Sequence, residues 1–310
     1  MLRTIFLLAS LMLGVQSAAA TERWEMLPPT PAAIPSDRSG LAEVNGIRIH
    51  YAMYGQGSPV IFLHGGLANS DYWGHQVLPV AAHHTVILMD SRGHGRSTRD
   101  DKPFGYDLMA DDVVALMDHL KIARADIVGW SDGAILGIDL AMRHQERVGK
   151  VFAFAGNTTK AGLKEDFDQN PVFAAYLKRA GEEYTAQSAT PKQYEAFVEQ
   201  IGKMWATQPN WTDADLKTID KPMLVIDGDH DEGIRREHTE YIAATIPRAQ
   251  LVILADTSHF AFLQDPATFN AVLLKFLDGH EQRGDAGAPT QEAFSRCQTV
   301  CAGAGYFHDR

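Results

Sequence analysis

The residues best suited to do chemistry fall in three short stretches. In the first, Gly129-Trp130-Ser131-Asp132-Gly133 follows an apolar run and leads straight into a helical pattern. A strand that turns so sharply into a helix folds back on itself. Bulky side chains two positions before and after the serine would clash, and glycine at 129 and 133 removes them. The turn is expected to lift the Ser131 hydroxyl to the top of a sheet, above a helix N-terminus. A serine hydroxyl is a weak nucleophile; it needs a base, and the base needs an orienting acid. Both follow downstream, in the order serine, acid, histidine. The second stretch, "PMLVIDGDHDEGI", ends a strand pattern in Asp227, Asp229, Asp231 and Glu232. Asp227 closes the strand itself, whereas Asp231 lies one short loop beyond and can turn over the sheet top. Asp231 is the expected acid, with Asp229 the second choice. The third stretch, "LVILADTSHFAFLQDP", puts His259 just after the last strand pattern, which singles it out among thirteen histidines as the expected base.

A reaction at a carbonyl also needs N–H donors for the oxyanion. One is expected from the backbone of Asp132, the residue after the serine. The other is expected from the loop "FLHGGLANSDYW", at Gly66 or at Leu67 beside it, with His64 buttressing the loop. The Asp132 side chain admits two readings. Either its carboxylate recognises a cationic amine on a substrate, or it is an acid favoured in a first helical turn by roughly 0.3–1 kcal/mol. Trp205 and Trp211 in "MWATQPNW" could line an acyl pocket or simply pack a lid, and Trp130, Tyr72 and Trp73 pose the same choice.

These groups need a scaffold that brings strand ends together. "PVIFLHGG", "HTVILMD", "ADIVGW", "KVFAFAG", "PMLVIDG" and "AQLVILAD" are near-continuous apolar runs, as expected of strands buried on both faces. Helical patterns alternate with them; in "DLMADDVVALMDHL" one stripe carries Met109, Val113, Leu116, Met117 and Leu120. Val44, Ile47, Ile49 and Tyr51 flank an Asn-Gly pair and predict a hairpin at the start. The expected fold class is therefore α/β: a doubly wound, mostly parallel sheet. Its ligands should bind beyond the carboxyl ends of the strands. From Asn157 to Asp220 the alternation stops and only helical patterns remain, so residues 157–220 are expected to form a helical cap. The core then comprises residues 41–156 and 221–279, preceded by an extended leader at 21–40 and followed by a flexible tail at 280–310.

Residues 1–20 end in Ala18-Ala19-Ala20 after a short apolar run and one basic residue. They are expected to be a signal peptide, leaving a periplasmic or secreted chain with no stable membrane span. The formal net charge of −11 argues against a nucleic-acid partner. Cys297 and Cys301 could form a small loop or stay free, and no metal site is expected without nearby partners.

Taken together, "HGG" at 64–66, "DSRGHGRS" at 90–97, "GWSDG" at 129–133, "GDHD" at 228–231 and "SHF" at 258–260 resemble, in order and spacing, an α/β-hydrolase-fold serine hydrolase. The likeness runs from about residue 41 to 279. It implies a structural turn at 90–97, so Asp90, Arg92 and Ser97 carry no catalytic role. It also implies acyl transfer to water from an ester, thioester, lactone or amide, or cleavage of a carbon–carbon bond next to a ketone, with no cofactor. Serine at 131 argues against dehalogenase or epoxide hydrolase activity, which in this family uses aspartate there. The elbow is similar to that of valacyclovir-hydrolase-like enzymes. The expected activity is hydrolysis of an ester or related acyl bond of a small molecule. Alternatives are an N-terminal aminopeptidase-like enzyme, for which Glu165, Asp166 and Asp168 could hold the amine, a carbon–carbon bond hydrolase, or a weakly active ligand-binding protein. Oligomeric state is not legible in the sequence.

Overall fold

The computed structural model describes residues 21–279. The expected signal peptide and tail, with Cys297 and Cys301, lie outside the described residues. Eight strands form one sheet: β1 (Arg38–Val44), β2 (Ile47–Tyr54), β3 (Ser58–Leu63), β4 (His84–Met89), β5 (Ala125–Trp130), β6 (Val148–Phe154), β7 (Met223–Gly228) and β8 (Ala249–Leu254). Their order is β1-β2-β4-β3-β5-β6-β7-β8. β1 and β2 form an antiparallel hairpin and β2 runs antiparallel to β4; every other pairing is parallel. The hairpin turns on Asn45 and Gly46, both at positive φ (48° and 83°), as an Asn-Gly turn between right-twisted strands requires.

The helices are α1 (Gly74–Ala81), α2 (Tyr106–Leu120), α3 (Asp132–Arg143), α4 (Pro171–Gln187), α5 (Tyr194–Thr207), α6 (Asp213–Leu216), α7 (Arg236–Thr245), α8 (Ala261–Gln264) and α9 (Pro266–Asp278). The period of two along each strand divides the core. Val60 and Phe62 of β3 pack with α1, α8 and α9 on one face, and Ile61 and Leu63 pack with α2 and α3 on the other. In α2, Met109, Val113, Leu116 and Met117 are buried, as the stripe predicts.

The chain leaves β3 for β4 on one side, then crosses back to β5 on the other, so the connections diverge at β3. That is the switch point where an open α/β sheet leaves a crevice. Here it sets the loop after β3, with His64–Leu67, beside the turn after β5, with Ser131.

Between β6 and β7 lie α4, α5 and α6 with short 3-10 turns, and no strand beyond two isolated bridges, Thr159↔Asn210 and Leu163↔Ile234. The stretch expected as a leader differs from expectation at its end. β1 begins at Arg38, paired with Met53, because the hairpin is longer than its apolar positions suggest. The rest of that stretch is extended but tied down. Arg23 meets Asp265 at 2.6 Å, the Trp24 ring stacks on His230, and Arg179 of α4 donates to the carbonyls of Leu27 and Pro28.

Candidate active site

Ser131 sits in the tight turn between β5 and α3 with φ 54° and ψ −117°, a conformation rarely adopted by residues other than glycine. Its N–H donates to the Phe154 carbonyl at 2.9 Å, and its own carbonyl accepts from Ala134 and Ile135, so the strained residue is held from both sides. A Cβ at Gly129 would fall on the Gly133 carbonyl, and one at Gly133 on the Leu63 carbonyl. Both glycines are therefore required by the turn, as the sequence argument expects.

His259 follows β8 and is 2% exposed. Its Nδ1 lies 2.7 Å from Asp231 Oδ2. The other oxygen, Asp231 Oδ1, accepts from the N–H groups of Gly233 (2.6 Å) and Ile234 (2.7 Å). Of the candidate carboxylates, Asp231 is the one that meets the ring. Asp229 accepts from Thr257 N–H, and Asp227 accepts from the Thr239 hydroxyl. Burial raises the pKa of Asp227 and Glu232, and the neighbouring Asp231 charge adds to the rise. Burial pushes Asp231 the same way, but His259 and the donors to its oxygens outweigh burial and hold it below the usual carboxylate range. For His259, burial favours the neutral ring, but Asp231 outweighs it and the pKa lies above 6.5.

Ser131 and His259 line one cavity of about 200 Å³, with Asp132 and Asn157 on the sheet side and Phe173 and Trp205 from the helical insertion. Among the described residues, no hydrogen bond joins the Ser131 hydroxyl to the His259 ring or to any other group. Opposite the elbow, Leu67 has φ 66°, and the Tyr176 hydroxyl of α4 donates to the Gly66 carbonyl. A Cβ at Gly66 would fall on the Trp205 ring and on the Asp132 carboxylate, so the backbone of this loop approaches the elbow as closely as glycine permits. His64 is buried. Its Nδ1 donates to the Gly65 carbonyl (2.7 Å) and its Nε2 accepts from Ser91 N–H (3.0 Å), the buttressing role expected of it.

The Asp132 carboxylate has partners that the sequence does not reveal. Oδ1 accepts from the Tyr106 hydroxyl of α2 (2.8 Å), and Trp205 Nε1 of α5 lies 3.0 and 2.9 Å from Oδ1 and Oδ2. Burial raises its pKa to about 6 despite these donors. Both oxygens are thus engaged, and a substrate amine would have to share them. Of the aromatic candidates, Trp205 lines the cavity, whereas Trp211 packs against the core without lining it. Trp130, Tyr72 and Trp73 are fully buried beneath the site. Glu165, Asp166 and Asp168 are exposed and do not line the cavity.

A model of the alpha/beta hydrolase family matches residues 60–272. The chain belongs to that family. Over 252 residues it is 29% identical to a Caulobacter segnis protein that is a carbamate hydrolase (RutD) by name, covering 72% of this chain and 92% of that one. It is 28% identical to the 2-hydroxymuconate semialdehyde hydrolase of Pseudomonas sp. strain CF600 over 260 residues, 75% of this chain and 91% of that one. Among solved structures it resembles Est816, described as an N-acyl homoserine lactone degrading enzyme, with TM-score 0.62 and 28% identity over 76% of this chain and all of the other. The chain is a hydrolase of the α/β family, and its eight-stranded, mostly parallel sheet is that family's fold.

Two residues of this site escape sequence reasoning as participants. Glu232 Oε2 accepts from His259 N–H at 3.0 Å, fixing the backbone of the loop that carries the ring. Tyr106 opens α2 and reaches Asp132 across 26 residues of sequence. For Glu232, its place in the acidic cluster was a usable signal; for Tyr106 there was none.

Proposed function

We propose that the protein is a serine hydrolase that cleaves an ester or related acyl bond of a small molecule through Ser131, His259 and Asp231. The observation that carries this reading is the strained Ser131 elbow opening into the same cavity as an imidazole whose Nδ1 is bonded to a buried, ionised carboxylate. The Nδ1–H···Oδ2 bond leaves Nε2 of the ring as the base. It takes the Ser131 proton while Oγ attacks the acyl carbon, then gives that proton to the leaving group as the acyl–serine bond remains. Water, deprotonated by the same ring, releases the acid and restores the serine. The missing Ser131–His259 bond is compatible with this role, since such contacts tighten when substrate is bound. The N–H groups of Asp132 and Gly66 are the donors proposed for the oxyanion, each worth roughly 3 kcal/mol of barrier. A cavity of about 200 Å³ suits a short acyl group. The lactone, carbamate and semialdehyde named for its relatives are all carbonyl compounds, which supports the reaction class. The expected result is turnover of short p-nitrophenyl esters, abolished by Ser131→Ala and by His259→Ala; undiminished turnover in either variant contradicts the reading.

We also propose that the chain is exported, with residues 1–20 as its signal. N-terminal sequencing of protein from the producing cells should begin at Thr21; a retained Met1 contradicts it.

A further inference from the structure

Besides the Tyr106 phenol, three ionisable side chains line the cavity that holds Ser131: Asp132, His259 and Lys160. Two are accounted for, Asp132 by Tyr106 and Trp205, and His259 by Asp231. The third is not. Among the described residues, the Lys160 ammonium meets no carboxylate, carbonyl or hydroxyl. It sits where the chain begins to leave the sheet for the helical insertion. There the antiparallel bridge Thr159↔Asn210, with Trp211 N–H donating to the Thr158 carbonyl, joins the segment that carries Lys160 to the one that carries Gln208.

Gln208 lines the same cavity. Its amide orientation is set by chemistry, because Tyr106 N–H can only donate and therefore faces Oε1, at 3.1 Å. Nε2 is left as a donor with no acceptor among the described residues. Thus the insertion contributes one cation and one amide donor to the wall of this cavity, Lys160 Nζ and Gln208 Nε2, neither with an acceptor among the described residues. Around them that wall is apolar, with Leu163, Phe167 and Phe173. Donors without acceptors, carrying a single positive charge, are the complement of a single anion. The chain's net charge of −11 gives anions no general attraction, so a local cation in the cavity discriminates rather than merely steers.

We infer that Lys160 and Gln208 form a subsite for a carboxylate carried by the substrate, so that this enzyme prefers monoanionic acyl compounds. The inference rests on the serine-hydrolase reading above. The ammonium would pair with the carboxylate as a point charge while the amide fixes its orientation, a charge-assisted contact in a partly apolar wall.

Two isosteric ester pairs test it. On the acyl side, p-nitrophenyl hemisuccinate is compared with p-nitrophenyl levulinate. On the leaving-group side, 4-acetoxybenzoate is compared with 4-acetylphenyl acetate. In the wild type, kcat/KM should favour the anionic member in at least one pair. Lys160→Gln should lower that anionic-to-neutral ratio about tenfold, and Lys160→Arg should retain most of it. A wild type with no anionic preference in either pair overturns the inference, as does a preference that Lys160→Gln leaves intact. Labelling with a fluorophosphonate separates the two levels. A wild type that is labelled at Ser131 and turns over neutral esters without anionic preference loses only this subsite. A wild type that is not labelled and turns over neither pair loses the serine-hydrolase reading and the subsite with it.

Discussion

Two glycine-rich turns leave the carboxyl ends of neighbouring parts of the same sheet, and they do opposite things with their polar groups. After β4, the turn Asp90–Ser97 ties its charged groups to itself and to neighbouring elements. Asp90 accepts from Ser70 N–H and Arg96 N–H at 2.8 Å, Ser97 Oγ donates to the Asp90 carbonyl at 2.6 Å, and buried Arg92 grips Asp112 through Nε and Nη2 and Asp100 through Nη1, each at 2.8 Å. After β5, the turn at Ser131 bonds its backbone on both sides and leaves its hydroxyl without a partner among the described residues, facing a cavity. In the first turn every charged side chain is paired, although Ser91 Oγ and His94 Nε2 are buried without partners; the second stores backbone strain at the proposed nucleophile and opens it onto a cavity. The same building material, glycine and short polar side chains at a strand end, therefore says nothing by itself. What distinguishes the two is that the charged groups of the first are paired off and its unpaired hydroxyl, Ser91, is buried, whereas the unpaired Ser131 hydroxyl lines a cavity.

That contrast can be broken from either side. Asp231→Asn keeps the shape of the acid but reverses the hydrogen-bond preference at His259 Nδ1, so kcat should fall by about four orders of magnitude with little change in Tm. Steady-state kinetics and a melting curve on the same preparation check it. Arg92→Ala does the reverse. It leaves Asp112 buried without its bidentate partner, and unfolding free energy should drop by about 3–5 kcal/mol in a denaturant titration. The folded fraction should bind a fluorophosphonate as the wild type does. Gly66→Ala forces a methyl group into Trp205 and Asp132 and shifts the proposed oxyanion donor, so kcat should fall about 10²–10³-fold. The smallest effect sharpens the chemistry. His259 must be neutral to act as base, and its pKa is held above 6.5. Activity, kcat/KM, should therefore climb with pH through a midpoint above 6.5. The sign for stability is opposite: a raised histidine pKa stabilises the fold most below 6.5, and that contribution fades as pH rises through the folded-state value.

Much of this was legible in the sequence because it is written in local patterns. Unbroken apolar runs marked β3 to β8, the Asn-Gly pair marked the hairpin, and glycines two residues either side of Ser131 marked a turn too tight for side chains. Ser131, Asp231 and His259 could be picked out as candidates because each closely follows a strand pattern, and a parallel sheet aligns such strand ends. What stayed hidden depends on how the insertion sits over the sheet. That Trp205 and Tyr106 clamp Asp132, that Tyr176 reaches Gly66, and that Lys160 and Gln208 line one cavity are consequences of packing between residues tens of positions apart, with no periodic trace. The residues preceding β1 taught the same lesson. Their composition read as a plain extended segment, yet Arg23, Trp24 and the carbonyls of Leu27 and Pro28 are bonded to distant side chains.

The most direct measurement is peptide mapping by mass spectrometry after reaction with a fluorophosphonate. The account predicts one adduct, on the peptide containing Ser131, lost in Ser131→Ala and strongly slowed in His259→Ala. An adduct on a different serine, or equal labelling when Ser131 is replaced, would contradict it.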